Sequence, residues 1–86
     1  MDENFVKELD KLIWKFLKIA DELSHKLSYY VSFSGIRRVT SEMVYANFVF
    51  RYGYPVSDTM ETIGIRFDNL EDIDSIVQEI IDSRNI

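Results

Sequence analysis

Few side chains in this 86-residue chain stand at spacings that could do chemistry. The single histidine, His25, follows Ser24 inside a segment of helical spacing. Adjacent helical residues point about 100° apart, so the two do not make a nucleophile and base dyad. The run Asp68-Asn69-Leu70-Glu71-Asp72-Ile73-Asp74 gathers the oxygen ligands that hard divalent cations take. It lacks the central glycine and distal glutamate of a calcium-binding loop, and no metal site is expected there. Helix punctuation accounts for it more simply: acids in a first turn offset the positive helix end, and Asp68 caps free N–H groups. Gly35, Gly53 and Gly64 are isolated and none leads into a helix, so no glycine-rich phosphate cradle is expected. With no catalytic constellation and no cofactor site in view, binding is the expected role.

Composition narrows what is bound. Without cysteine the chain can build no disulfide, thiolate nucleophile or zinc–thiolate site, which suits a reducing compartment. No run of eighteen apolar residues occurs, and Met1-Asp2-Glu3-Asn4 lacks the basic and then apolar stretches of a secretion signal. A cytoplasmic protein with no membrane partner is therefore expected. The formal net charge of -5 disfavours nonspecific attraction to nucleic acid or anionic lipid, so another protein with a basic surface is the expected partner. Length allows one domain, residues 1–86, with one core and little room for a deep cleft.

The elements that would position any surface follow from apolar periodicity. Over residues 4–27, Phe5, Leu9, Leu12, Ile13, Phe16, Leu17, Ala20, Leu23 and Leu27 recur at three-and-four spacing, predicting a long amphipathic helix. Alternation of Tyr29, Val31 and Phe33 predicts a strand bulged or ended at Gly35, with residues 36–42 open between strand and loop. Residues 43–52 alternate Val44, Ala46, Phe48, Phe50 and Tyr52 against Met43, Tyr45, Asn47, Val49 and Arg51, a second and central strand. Residues 53–58 turn, and a third strand over 59–67 puts Ile63, Ile65 and Phe67 on one face and Gly64 on the other. A last helix opens at Asp68 or Asn69, with Glu71 in the capping-box position, and carries Leu70, Ile73, Ile76, Val77, Ile80 and Ile81 on one stripe. The expected class is α+β in the order α-β-β-β-α: a three-stranded antiparallel sheet with both helices on the face bearing Val44, Phe48, Phe50, Ile63 and Ile65.

Three surfaces remain for function. Trp14 falls opposite the apolar face of the first helix, among Lys7, Lys11, Lys18 and His25, as an interface anchor or a ring covered by lysine stems. Outward positions of the last helix include Glu71, Asp72, Asp74, Glu79 and Asp82, a negative stripe with no base before Arg84. The uncovered sheet face would present Tyr30, Ser32, Tyr45, Asn47, Val49, Arg51, Met60, Thr62 and Arg66, a mixture common at contact surfaces. Bases of a single strand could stack there, but Arg37 and Arg38 are the only adjacent basic pair, which argues against direct nucleic-acid binding.

The α-β-β-β-α order resembles that of double-stranded-RNA-binding domains. That family contacts phosphates with a basic second helix, and here Glu71, Asp72, Asp74, Glu79 and Asp82 occupy that element. Layout, length and acidity are also similar to small phage-encoded anti-CRISPR inhibitors, which fill the DNA-binding surface of a nuclease. That resemblance implies a DNA-mimicking or antitoxin-like inhibitor of a nucleic-acid-handling protein. The alternative expectation is a homodimer, or an accessory subunit that buries Trp14 or the open sheet.

Overall fold

Apolar residues three and four apart, followed by three alternating runs, fold as periodicity requires. In a computed structural model the chain forms α1 (Glu3–Leu27), β1 (Tyr30–Val39), β2 (Met43–Tyr52), β3 (Ser57–Arg66), a 3-10 turn (Phe67–Asn69) and α2 (Ile73–Arg84). Residues 3–53 and 55–84 are described, with side chains from residue 10 onward. The expected placements of Phe5, Lys7 and Leu9 lie outside those side chains. The fold is α+β, with one antiparallel sheet in the order β1-β2-β3 and β2 central.

Both helices cover one sheet face. Val44, Ala46, Phe48 and Phe50 of β2 are fully buried, joined by Val31 and Ile65 from the flanking strands. From α1 come Phe16, Ile19, Ala20 and Leu23, and from α2 come Ile76, Val77, Ile80 and Ile81. The aromatic centre is Phe16 stacked on Phe33 at 5.5 Å, with the edge of Phe48 at 6.1 Å. Burial of each such ring contributes about 1.5–3 kcal/mol.

The α1 stripe is rotated from its expected position. Ile19, absent from the predicted stripe, is fully buried, whereas Leu17, included in it, is 49% exposed. At 100° per residue Ile19 lies about 60° from Phe16 and Leu17 about 100°, so the angle at which α1 meets the sheet decides between them.

The corner from α1 into β1 is held by Ser24. Its Oγ accepts the Val31 N–H at 2.9 Å and lies within donating distance of the Ala20 and Val31 carbonyls, with one proton to share between them. Ser28 ends the helix at φ 60, the left-handed cap geometry. Ser24 is thus a half-buried structural anchor, while His25 beside it is exposed.

Residues 36–39 are strand. β1 passes Gly35 through a register shift, helped by φ 139 at that glycine, and shifts again between Ile36 and Arg38. Thr40 closes the hairpin, its Oγ1 accepting the Glu42 and Met43 N–H groups.

Two expectations at the C-terminal end are corrected. Phe67 does not continue the inward face of β3; it begins the 3-10 turn and is 37% exposed, while Leu70 is the residue that plugs the core there. The last helix opens at Ile73 and is capped by Asp72, whose Oδ1 accepts the Ser75 N–H at 3.1 Å. Asp68 caps nothing and instead accepts from Arg66 Nε at 3.3 Å. Residues 67–72 carry the acids and the apolar anchor that a helix start also carries, and a 3-10 turn at a helix end has no sequence period of its own to separate the two. No helix among the described residues is long and apolar enough to cross a membrane.

Candidate interaction surfaces

The predicted site residues fall on three separate surfaces and are not brought together. The first is the outer side of α2. Glu71, Asp72, Asp74, Glu79 and Asp82 are all exposed. Their engagements differ: Glu71 accepts from Lys15 Nζ at 3.1 Å, Asp72 caps the helix, and Asp82 accepts from Gln78 at 2.8 Å. Asp74 and Glu79 make no ion pair among the described residues.

The only base of α2 is withdrawn from this surface. Arg84 turns inward, where its Cζ lies 3.9 Å from the centroid of Phe50. Its Nε donates to Tyr29 Oη at 3.3 Å and its Nη1 to Glu61. Burial works against the charged guanidinium, but the hydrogen bonds to Glu61 and Tyr29 prevail and hold its pKa above the ordinary arginine value. Glu61 lies opposite Phe48 in the sheet register and so belongs to the inner face. Sequence reasoning missed this clamp, although two-residue alternation back from Ile65 and Ile63 already puts Glu61 on that face.

The second surface is the sheet face away from the helices. Tyr45, Arg51 and Arg66 lie on it, as predicted, with Tyr30, Asn47, Val49, Met60 and Thr62 in register. Tyr30 and Met60 are 59% and 61% exposed, so none of the described residues covers this face around them. Arg51 grips Asp58 with two bonds, at 2.8 and 3.2 Å, and leans toward the Tyr30 ring at 6.0 Å. The hydrogen bond from Arg51 holds the Asp58 carboxyl below the usual carboxylate range. Arg66 engages Asp68.

Arg37 and Arg38 join this face, which the sequence did not disclose. Successive strand residues normally point to opposite sides, but the shift between Ile36 and Arg38 turns both guanidiniums the same way. Arg38 stacks over the Tyr45 ring at 4.3 Å. Arg37 reaches across β2 and donates to Thr62 Oγ1 on β3 at 3.2 Å, and Thr62 in turn donates to Asn47 Oδ1 at 2.7 Å. Gly64 underlies the Tyr45 ring: a Cβ there would sit 2.8 Å from Tyr45 Cε1.

The third surface is on α1. Trp14 is 73% exposed, so lysine stems do not cover it, and Leu17 one turn on is exposed beside it. Among the described residues no group of three or more His, Cys, Asp or Glu side chains could hold a metal ion. No family model, no curated protein and no solved structure matches this chain.

Proposed function

We propose that the protein is a binding module that engages the basic surface of another protein, one that handles nucleic acid, through the outer face of α2. The observation that carries this reading is the division of charge on that helix. Asp74, Glu79 and Asp82 on the helix, with Asp72 at its cap and Glu71 just before it, face solvent while its single base, Arg84, is tucked over Phe50 against Glu61. A surface of one sign steers association with an oppositely charged partner and selects against others. Carboxylates spaced along a helix can occupy a groove built for phosphates, which is how an acidic inhibitor competes with DNA or RNA.

Charge reversal tests the reading. Asp74, Glu79 and Asp82 are the suitable positions, because Glu71 is paired with Lys15 and Asp72 is needed as the cap. The native chain used as bait in its host, beside an Asp74→Lys/Glu79→Lys/Asp82→Lys variant of unchanged melting temperature, should retain a basic nucleic-acid-handling protein that the variant loses. Retention by both chains would remove α2 from the interface.

Self-association through α1 is a second reading, favoured by the exposure of Trp14 next to Leu17. An exposed tryptophan beside an aliphatic side chain is a common interface anchor. Light scattering of the native chain against Trp14→Ala decides it: a mass that rises with concentration only when Trp14 is present supports a dimer. A concentration-independent monomer removes it.

A further inference from the structure

Like charges are gathered on the open sheet face without an opposite charge to hold them. Arg37 and Arg38 are both exposed, both turned to that face by the β1 register shift, and neither has a carboxylate partner among the described residues. On this sheet face Asp58 is engaged by Arg51 and Asp68 by Arg66, and Glu42 in the β1–β2 hairpin makes no ion pair with either arginine among the described residues. In a chain of net charge -5, carboxylates are abundant, yet none is supplied here. Two adjacent guanidiniums repel each other, so their convergence calls for an anion to offset it.

The surroundings hold the pair in place. The Tyr45 ring passes close by Gly64, where an added Cβ would meet its Cε1 at 2.8 Å and its Cδ1 at 3.0 Å, and the Arg38 guanidinium lies over the ring at 4.3 Å. Arg37 is drawn across the sheet by the Thr62 hydroxyl, itself oriented by Asn47. Together Arg37, Arg38, Tyr45 and Thr62 line a hollow of about 460 Å³. The Arg38 guanidinium already stacks on the Tyr45 ring and so competes with any nucleobase there. Recognition is left to the guanidinium N–H groups.

We propose that this hollow binds a phosphate group. One carboxylate is satisfied by a single guanidinium fork, whereas two forks lining one hollow match the several oxygens and near-double charge of a phosphate. The site stands on the sheet face away from α2, so it is independent of the acidic-face reading.

The test is an NMR titration of the native chain with sodium phosphate at constant ionic strength, followed through the backbone amides and the Arg Nε–H signals. Saturable shifts at Arg37, Arg38 and Thr62 that sodium chloride does not reproduce are expected. Affinity should fall roughly 10-fold or more in Arg37→Ala and in Arg38→Ala, the loss of a charge-assisted hydrogen bond. Arg37→Lys and Arg38→Lys keep the charge without the fork; they should bind more weakly than the native chain, and they serve if the alanine variants fold poorly. A parallel titration with O-phosphoserine identifies the source: tighter binding than inorganic phosphate points to an esterified phosphate, equal binding to the free ion. The proposal is overturned by shifts that never saturate or that chloride matches. It is equally overturned by affinity unchanged in the alanine variants, or by the same shifts appearing on raising protein concentration alone, which would mean that carboxylates of a second copy fill the hollow.

Discussion

The acidic side of α2 and the arginine-bearing sheet face are charged surfaces made in different ways. On α2 the carboxylates occupy whatever helical turns do not face the core, and a plain amphipathic pattern suffices. On the sheet the guanidiniums of Arg37 and Arg38 come together only because β1 slips register twice, Gly35 takes a positive φ and Gly64 leaves room for Tyr45. A helix acquires a surface of one sign at no cost to its backbone. A strand must break its alternation to place neighbouring residues side by side, and that irregularity marks the sheet site as built. Arginine itself shows the same contrast, since Arg84 holds the fold together while Arg37 and Arg38 face outward.

The largest effect should come from erasing that contrast at Arg84. Arg84→Ala leaves Glu61 on the inner face without its partner and removes the cover from Phe50. The loss should be about 1–3 kcal/mol in urea unfolding, toward the lower end because Glu61 is 40% exposed and screened by water. A loss below 0.5 kcal/mol, roughly the scatter of neutral surface changes, would show that the clamp is ornamental.

Separating caps from surface charges comes next. Asp72→Ala should cost about 1 kcal/mol as a lost helix cap, whereas Asp68→Ala should stay within about 0.5 kcal/mol. Equal effects would return the helix start to Asp68.

Gly64→Ala should cost about 1 kcal/mol or less, since the Tyr45 ring can swing aside, but the Arg38 stack should go with it. The readout is loss of the ring-current shift on the Arg38 side-chain protons, with the core spectrum unchanged. A retained shift would mean that Gly64 does not position the ring.

The smallest effect is the pH response of Asp58. Its carboxyl is held low by Arg51, so the folded pKa lies below the unfolded value of about 4. The pair's contribution is then fully present above that value and is lost as pH falls through the folded pKa. A carbon-detected NMR titration should find the Asp58 midpoint below the other exposed aspartates and restored to their range in Arg51→Ala.

The order of elements was legible because each strand and helix is long enough for its period to show. Val44, Ala46, Phe48 and Phe50 declare a buried strand face, and Ile76, Val77, Ile80 and Ile81 a helical stripe. The acidic face of α2 was legible for the same reason, being what remains when the stripe is inside. Hydrophobicity could not choose between Leu17 and Ile19, because that depends on how α1 lies on the sheet. Nor could it separate the 3-10 turn at Phe67 from the first turn of a helix.

Local pattern thus determined the α-β-β-β-α order, the buried face of β2 and the sign of the surface on α2, since each rests on the spacing of residues a few positions apart. Tertiary structure alone decided that Arg84 turns inward to Glu61, that Ser24 pins the helix to β1, and that Arg37 and Arg38 meet Tyr45, Gly64 and Thr62 on one face. Those contacts join residues up to 25 positions apart, and they depend on bulges and docking angles that no periodicity in the sequence encodes.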